Sequence, residues 1–248
     1  MVQTVIEEEN LFPLIRGRDV KKWQSKPSGY TLLLHNILDG RPIPERQVKT
    51  HFPKTYSYFM KFKRKLENRS THKLMGADSP FYSAYKIGKY TFAPYKVVWK
   101  EVSGKISGKG QFIVAVVRPS DTTDKKSKPI IPDHKLIFIP FENEDQAYFV
   151  CGVLSCAAVR CVIAGYTIET EIPTNIPRYI RIPKFVPSNV LHNKVAELCK
   201  KAHGLATEPN WDELERIQTQ LDRLAGKIYG LKNSETLMFR KSLEDIHN

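Results

Sequence analysis

The stretch Leu14-Ile15-Arg16-Gly17-Arg18-Asp19-Val20-Lys21-Lys22-Trp23 is the most informative part of this chain. A short apolar run breaks at a glycine, and the eight residues 16–23 hold four cations, one carboxylate and a tryptophan. Arginine grips phosphate or a guanine edge with a planar fork, and lysine adds a point charge. The composition predicts a turn that contacts phosphate, with Trp23 as its core anchor, although a solvated turn in which Asp19 pairs with a neighbouring arginine is the alternative. The predicted binding residues are Arg16, Arg18, Lys21 and Lys22.

The net positive charge of the chain comes entirely from its first part. Residues 1–140 hold 26 basic and 12 acidic side chains, a net charge of +14, whereas residues 141–248 hold 13 and 14, a net charge of −1. Such asymmetry indicates a polyanionic partner for the first part and a structural or protein-facing role for the rest. A basic surface that serves only solubility is the alternative.

The opening stretch resembles the "LLRGRDIxRW" segment in the target-recognition region of N6-adenine DNA methyltransferases and of single-chain type II restriction-modification enzymes. Further pieces follow in the family's order, so the resemblance covers nearly the whole chain. These pieces are Phe52-Pro53-Lys54-Thr55-Tyr56, Tyr90-Thr91-Phe92-Ala93-Pro94-Tyr95-Lys96-Val97-Val98-Trp99, Ile180-Arg181-Ile182-Pro183, Leu221-Asp222-Arg223-Leu224-Ala225 and Ile228-Tyr229-Gly230-Leu231.

The resemblance implies a mixed α/β (α+β) fold, with a twisted mixed β-sheet, packed helices and a C-terminal helical layer. We expect a target-recognition domain over residues 1–185 and a helical subdomain over 186–248. The implied function is sequence-specific binding of duplex DNA on behalf of a methyltransferase catalytic domain, linked or neighbouring. An RNA-binding or protein-interaction module unrelated to methylation is the alternative, and a preference for structured or single-stranded RNA would favour it.

The catalytic motifs of the family are missing from this chain. There is no glycine-rich turn for S-adenosylmethionine and no "NPPY" loop for the flipped adenine. We therefore expect no cofactor and no methyl transfer in this chain, and S-adenosylmethionine only in the associated catalytic domain. A nuclease site is also disfavoured, because Asp133 and Glu142 are followed by Glu144 where a metal-dependent nuclease needs lysine. The chain looks like a recognition fragment or a stand-alone specificity protein.

Further candidates for DNA contact lie between residues 56 and 110. The spacing of Tyr58, Phe59, Phe62 and Leu66 predicts one helix over 56–69, whose opposite face is basic. Alternation along a strand at 90–102 places two lysines on an exposed face. The glycine-rich run 104–110 predicts a cationic hairpin tip. The added candidates are Lys61, Lys63, Arg64, Lys65, Tyr82, Tyr85, Lys86, Lys89, Lys96, Lys100, Lys105 and Lys109.

The remaining pattern predicts strands and then helices. Strands are expected at 30–35, 111–117 and 136–140, edge strands at 168–183, and helices from Asn143, over 189–203, from Asn210 to Gly230 and over 234–246. The apolar stretch 148–166 contains Arg160 and several small residues, so we expect a buried helix and no membrane partner.

The cysteines and the N-terminal residues predict where in the cell this chain is found. Cys151, Cys156 and Cys161 recur every five residues, which places their sulfurs about 140° apart on a helix and rules out a shared zinc ion. Residues 1–10 lack the basic region of a secretory signal. These features predict a cytoplasmic protein with cysteines in its core and without disulfides.

Overall fold

The computed structural model describes residues 3–76, 78–101, 105–106, 109–110, 112–121, 127–166 and 180–247, with only the backbone for 105–106, 109–110, 121 and 246–247. Within these residues the fold is mixed α+β, as predicted. The edge strands expected at 168–183 fall mostly on residues outside the described part. The same holds for the tip of the hairpin expected at 104–110.

The N-terminal part forms short strands around the Arg16 turn. Strand β1 pairs antiparallel with β4, with Leu11 opposite Leu32 and Leu14 opposite Gly29. Strands β2 and β3 form a hairpin whose connecting residues are Lys22 and Trp23. The strands are β1 (Leu11–Ile15), β2 (Val20–Lys21), β3 (Gln24–Ser25) and β4 (Gly29–Leu32).

Four short helices follow, and the first three pack on a small core of Leu34, Val48, Phe81 and Tyr82. The single helix predicted at 56–69 is wrong, because the backbone of Phe62 leaves the helical region (φ −115°, ψ 7°) and starts a new helix. Phe59 of the first piece and Leu66 of the second both pack on this core. The helices are α1 (Glu45–His51), α2 (Pro53–Met60), α3 (Lys63–Glu67) and α4 (Ser70–Lys73).

A second sheet, in the order β12-β5-β8, forms the centre of the molecule. Strand β11, just before β12 in the chain, belongs instead to the sheet of β1 and β4 and pairs in parallel with β1, with Leu14 opposite Ile131. Strands β6 and β7 pair as the predicted hairpin. The strands are β5 (Tyr95–Lys100), β6 (Lys105–Ile106), β7 (Lys109–Gly110), β8 (Val114–Val117), β9 (Ser120–Asp121), β10 (Ser127–Lys128), β11 (Ile131–Pro132) and β12 (Leu136–Phe141).

The C-terminal helices pack on one face of this central sheet. The side chains of Asn143, Asn189 and Asn210 each accept hydrogen bonds from the first turn of the helix that follows. One core joins Val97 and Trp99 of the sheet to these helices. The helices are α5 (Glu144–Ser155), α6 (Ala157–Tyr166), α7 (Val190–Leu205), α8 (Trp211–Ile228) and α9 (Asn233–His247).

Helices α5 and α6 meet at a bend of 66°. The Asp222 carboxylate on α8 accepts a hydrogen bond from the Ala157 N–H (2.8 Å) at this bend and another from Gln218 Nε2 (2.8 Å). Arg240 on α9 lies 3.4 Å from the same carboxylate. In the described ranges, no single helix is both long and apolar enough to cross a membrane, and only the bent pair together reaches that length and composition.

Candidate nucleic-acid interface

The Arg16 turn holds its shape through Asp19. The Asp19 carboxylate accepts hydrogen bonds from the Arg16 backbone N–H (2.9 Å) and from Ser28 Oγ (2.7 Å). The Arg18 side chain is 71% exposed, and its Nε lies 3.8 Å from Asp19. Removing Arg18 therefore leaves the carboxylate hydrogen-bonded, and the turn presents Arg18 to the solvent.

Trp23 anchors the hairpin that follows this turn. It is buried in the main core, with its ring edge-on to His203 at 5.5 Å, which confirms the predicted core role. Its backbone adopts a φ of 62°, a left-handed conformation that is costly for a bulky residue. Burial of the indole offsets this strain, so the hairpin tip is held in one position and Lys21 stays exposed beside it.

Lys22 has an unusual environment for a surface lysine. The residue as a whole is exposed, but its ammonium lies 5.8 Å from the centre of the Trp23 ring, in a cleft of about 230 Å³ that Trp211 and Glu215 also line. Burial of the ammonium, with a smaller effect from the Arg160 guanidinium, lowers the pKa of Lys22 to about 8. Lys22 thus stays mostly protonated at neutral pH.

Arg160 is a residue that the sequence reading missed as a candidate. It is half-buried on α6, and desolvation lowers its pKa even though Asp222 opposes that effect. It is the only charged residue between 148 and 166, and an isolated charge in an apolar helix is the signal that could have marked it. Its charge acts on Lys22, which places a second cation behind the hairpin.

The basic residues near this hairpin form one group. Lys100, at the end of β5, has its pKa lowered by desolvation and then by the charge of Lys21. The structure thus brings strand β5 to the hairpin, as the sequence alone does not indicate. We call this group the hairpin cluster, and its members are Arg16, Arg18, Lys21, Lys22 and Lys100.

A second basic group lies on the helices α2 and α3. Lys61, Lys63, Arg64 and Lys65 are all exposed, as predicted for the outer face. Lys63 is partly neutralised, since its ammonium lies 3.8 Å from Glu67 and over the Phe81 ring. The structure does not connect this group to the hairpin cluster through any described contact.

A third group combines aromatic and basic side chains at residues 85–90. Tyr85, Lys86, Lys89 and Tyr90 are exposed, and the Lys86 ammonium lies 5.5 Å from the centre of the Tyr85 ring. Lys86 adopts a left-handed backbone with a φ of 57°. For the remaining candidates Lys105 and Lys109 the backbone pairing is described but not the side chains.

Two predicted contact residues are buried, which corrects the expectation that they face DNA. Tyr82 is in the small helical core, where its hydroxyl donates to the Ile43 carbonyl (2.6 Å). Lys96 is completely buried and donates to the Ala93 carbonyl (2.5 Å), and burial lowers its pKa to about 7. The alternation rule failed at Lys96 because β5 is a central strand that is covered on both faces.

Metal chemistry finds no support in the described part of the chain. No group of three histidine, cysteine or acidic side chains is placed to hold a metal ion there. His203 Nε2 accepts from the Val116 N–H (2.9 Å) and its Nδ1 lies 2.8 Å from the Cys199 carbonyl, so the ring bridges α7 and the sheet. All four cysteines are free thiols, three of them buried.

Comparisons with known proteins point to restriction-modification enzymes. No protein-family model matches the chain. The chain is 26% identical over 159 residues to the type II methyltransferase M.NspV of Nostoc sp. (strain ATCC 29411 / PCC 7524). This alignment covers 62% of the chain and 29% of that protein. The fold of the chain is similar to the type IIL restriction-modification enzyme MmeI, solved in complex with DNA, with a TM-score of 0.59 and 14% identity.

The similarity to MmeI covers 94% of this chain and 30% of that enzyme. The chain thus spans less than a third of the length of each protein that it resembles. It is related in sequence to a type II methyltransferase, and it has the fold of one part of a restriction-modification enzyme.

Proposed function

We propose that this chain binds duplex DNA sequence-specifically, as the target-recognition part of an S-adenosylmethionine-dependent adenine-N6 DNA methyltransferase or restriction-modification enzyme. The observation that carries the proposal is the hairpin cluster. In it, Arg18 and Lys21 face the solvent on a turn that Asp19 and Trp23 fix in place. Relatedness to a type II methyltransferase and likeness to an enzyme solved with DNA support the same conclusion.

The arrangement suits contacts with the DNA backbone. Cations held on a rigid turn neutralise phosphates without first losing much conformational freedom, and these contacts fix the register of the protein on the duplex. Base edges would then be read by neighbouring loops, through hydrogen bonds in the grooves. The exposed side chains of Lys61, Arg64 and Lys65 extend the basic surface available to the backbone.

The C-terminal layer would face the methyltransferase catalytic domain. Residues 141–248 carry a net charge of −1, so they offer no general attraction for DNA. The proteins that this chain resembles are more than three times its aligned length, which leaves room in them for such a domain. We keep 1–185 and 186–248 as the proposed division between recognition domain and helical subdomain.

The clefts considered in the described part of the chain do not fit S-adenosylmethionine. The cofactor carries a ribose, which enzymes commonly hold through a free carboxylate, and needs a glycine-rich turn nearby. Two described clefts, beside Arg181 and beside Arg223, are lined by cations and no carboxylate. In the cleft at Lys22 the lining carboxylate, Glu215, is already paired with Arg240. We therefore derive no chemical step through this cofactor.

We expect duplex DNA binding to depend strongly on salt. Neutralising about five phosphates gives a slope of log affinity against log salt near about −4.5. Fluorescence anisotropy with a labelled duplex between low and physiological salt measures this slope. A flat salt response, or no binding at low salt, would contradict the proposal, and tighter binding of structured or single-stranded RNA would favour an RNA-binding module.

A variant with Lys21→Ala and Lys22→Ala separates the hairpin cluster from the other basic groups. Each lost phosphate contact should reduce the slope by up to about 1, across all DNA sequences and with the thermal melt unchanged. The matched control is Lys227→Ala with Lys232→Ala, two exposed lysines of the C-terminal layer. If the Lys21 and Lys22 variant binds DNA as tightly as the control variant, DNA is held elsewhere. The basic group on α2 and α3 around Lys61 then becomes the next candidate.

We also expect no binding of S-adenosylmethionine by this chain alone, because the glycine-rich turn that the family uses for this cofactor is missing. Isothermal titration calorimetry of the purified chain with the cofactor is the direct measurement. Heat that fits a dissociation constant in the micromolar range would show that the chain is more than a recognition module.

A further inference from the structure

Residues 36–41 form a closed turn, which we call the tip loop. The Asn36 N–H donates to the Arg41 carbonyl (2.8 Å), and the Gly40 N–H donates to the Asn36 carbonyl (2.8 Å). The Asn36 side chain accepts a further bond from the Leu38 N–H (2.9 Å). These bonds fix the backbone from both ends, so the side chains at the tip point in set directions.

A second loop, residues 84–90, supports the tip loop from the side. Gly40 has a φ of 77°, and a Cβ added to it would lie only 2.3 Å from the Cα of Gly88, so the two backbones are in direct contact. At the base, His35 Nε2 accepts from the Ala84 N–H (3.3 Å). Burial lowers the pKa of His35 to about 4, which keeps the ring neutral and able to accept this bond at physiological pH.

The tip loop exposes two apolar side chains, and charged side chains lie near them. Ile37 is 53% exposed and Leu38 is 74% exposed, although neither packs on the cores described above. The Arg41 side chain is 86% exposed, and its one described carboxylate neighbour, Asp39, lies 3.9 Å away. Two more exposed cations stand on the supporting loop, and neither takes part in an ion pair among the described residues. They are Lys86 and Lys89.

We propose that Ile37 and Leu38 enter a DNA duplex as an apolar wedge between neighbouring bases, with Arg41, Lys86 and Lys89 on the flanking phosphates. The inference rests on the proposed duplex binding and adds a role in deforming the DNA. Apolar side chains that unstack a base step are a known way for proteins to bend DNA. A rigid tip suits this role, because a flexible loop would move aside and would not separate the stacked bases.

Shape and charge favour DNA over a protein partner at this tip. A stable protein interface buries roughly 800 Å² on each partner, which Ile37 and Leu38 do not supply even with the partly exposed rings of Tyr85 and Tyr90 on the supporting loop. The three cations and one carboxylate around the tip leave a net positive charge, which complements phosphate. Narrow apolar protrusion with a cationic rim therefore fits a base step better than a protein surface.

The tip loop and the hairpin cluster are separate contact regions. Because Leu11 lies opposite Leu32 in the β1–β4 pair, the tip loop follows the end of β4 that is far from Arg16. Four residues of strand separate these ends, about 13 Å at about 3.3 Å per residue. A duplex held at both regions would be gripped at two places, and the wedge would act at one of them.

The test uses the full chain with Ile37→Ser and Leu38→Ser, and two duplexes that differ only by a central mismatch. A mismatch makes unstacking cheap, so the unmodified protein should bind the mismatched duplex about tenfold more tightly. The double variant should lose that preference while its salt slope stays the same, because no cation has been removed. The matched control is Leu237→Ser with Met238→Ser, an exposed apolar pair on α9.

A complementary variant, Arg41→Gln with Lys89→Gln, should lower the salt slope by up to about 2 and keep the preference for the mismatch. The wedge is overturned if the Ile37 and Leu38 variant binds both duplexes like the unmodified protein. It is also overturned if light scattering shows self-association that this variant abolishes, which would assign the tip to a second copy of the chain. If the unmodified protein binds neither duplex at low salt, the proposed function itself fails.

Discussion

Replacing Asp222 with alanine should lower the free energy of unfolding by about 3 to 5 kcal/mol, the usual cost of removing one partner of a buried ion pair. The carboxylate is almost completely buried and bonds the Ala157 N–H, Gln218 Nε2 and Arg240. Its loss leaves the Ala157 N–H without its acceptor and removes the buried negative charge beside Arg160 and Arg240, and Arg240 then keeps only its pair with Glu215. Urea unfolding followed by circular dichroism measures the effect.

Asp222→Asn separates the hydrogen bonds from the charge. Burial raises the pKa of Asp222, while the Ala157 and Gln218 hydrogen bonds and the two guanidinium groups lower it. Asparagine retains an oxygen that can accept from the Ala157 N–H, so its loss of stability should be smaller than that of alanine. Equal losses for the two variants would show that the charge, and not the hydrogen bond at the bend, carries the stabilisation.

Replacing Trp23 with alanine should cost about 3 to 5 kcal/mol of unfolding free energy, because a large buried ring is removed from the main core. The left-handed backbone at Trp23 adds a sharper expectation. Glycine loses the same packing, but it adopts a φ of 62° without strain. Trp23→Gly should therefore be about 1 kcal/mol more stable than Trp23→Ala, the reverse of the order found in ordinary strands.

Thermal and urea unfolding of both variants, beside Trp211→Ala, measure this order. Trp211 is an exposed tryptophan at the start of α8, so its replacement should change the stability by no more than about 0.5 kcal/mol. If the alanine variant is more stable than the glycine variant, Trp23 does not hold a strained turn in solution.

Local chemistry explains why several elements were predictable from the sequence. Asn210 accepts from the Glu213 N–H (3.1 Å), as a helix cap should, and Leu214, Ile217 and Leu221 are buried on one stripe of α8. The helix then ends before Gly230, whose φ is 76°. Each of these features depends on residues within a few positions of one another, so the local sequence pattern is enough to predict the helix and its ends.

Features that depend on distant residues were not predictable in this way. Lys96 looked exposed because strand alternation assumes one covered face, and the second face is covered by residues such as Ile15 and Val20 from two other sheets. The contact of Gly40 with Gly88 joins loops that no local pattern links. Arg160 likewise approaches Lys22 only because the C-terminal helices fold back on the hairpin.

The parallel pairing of β1 with β11 has a consequence for the synthesis of this chain. Leu14 pairs with Ile131, 117 positions later, so β1 cannot gain its second neighbour until β11 has been made. At a synthesis rate of about 5 to 20 residues per second, the nascent β1 waits about 6 to 23 s with one edge open. During that time the strand that leads into the Arg16 turn is paired only with β4. We therefore expect a nascent chain stalled before residue 131 to be readily cleaved by protease at this turn.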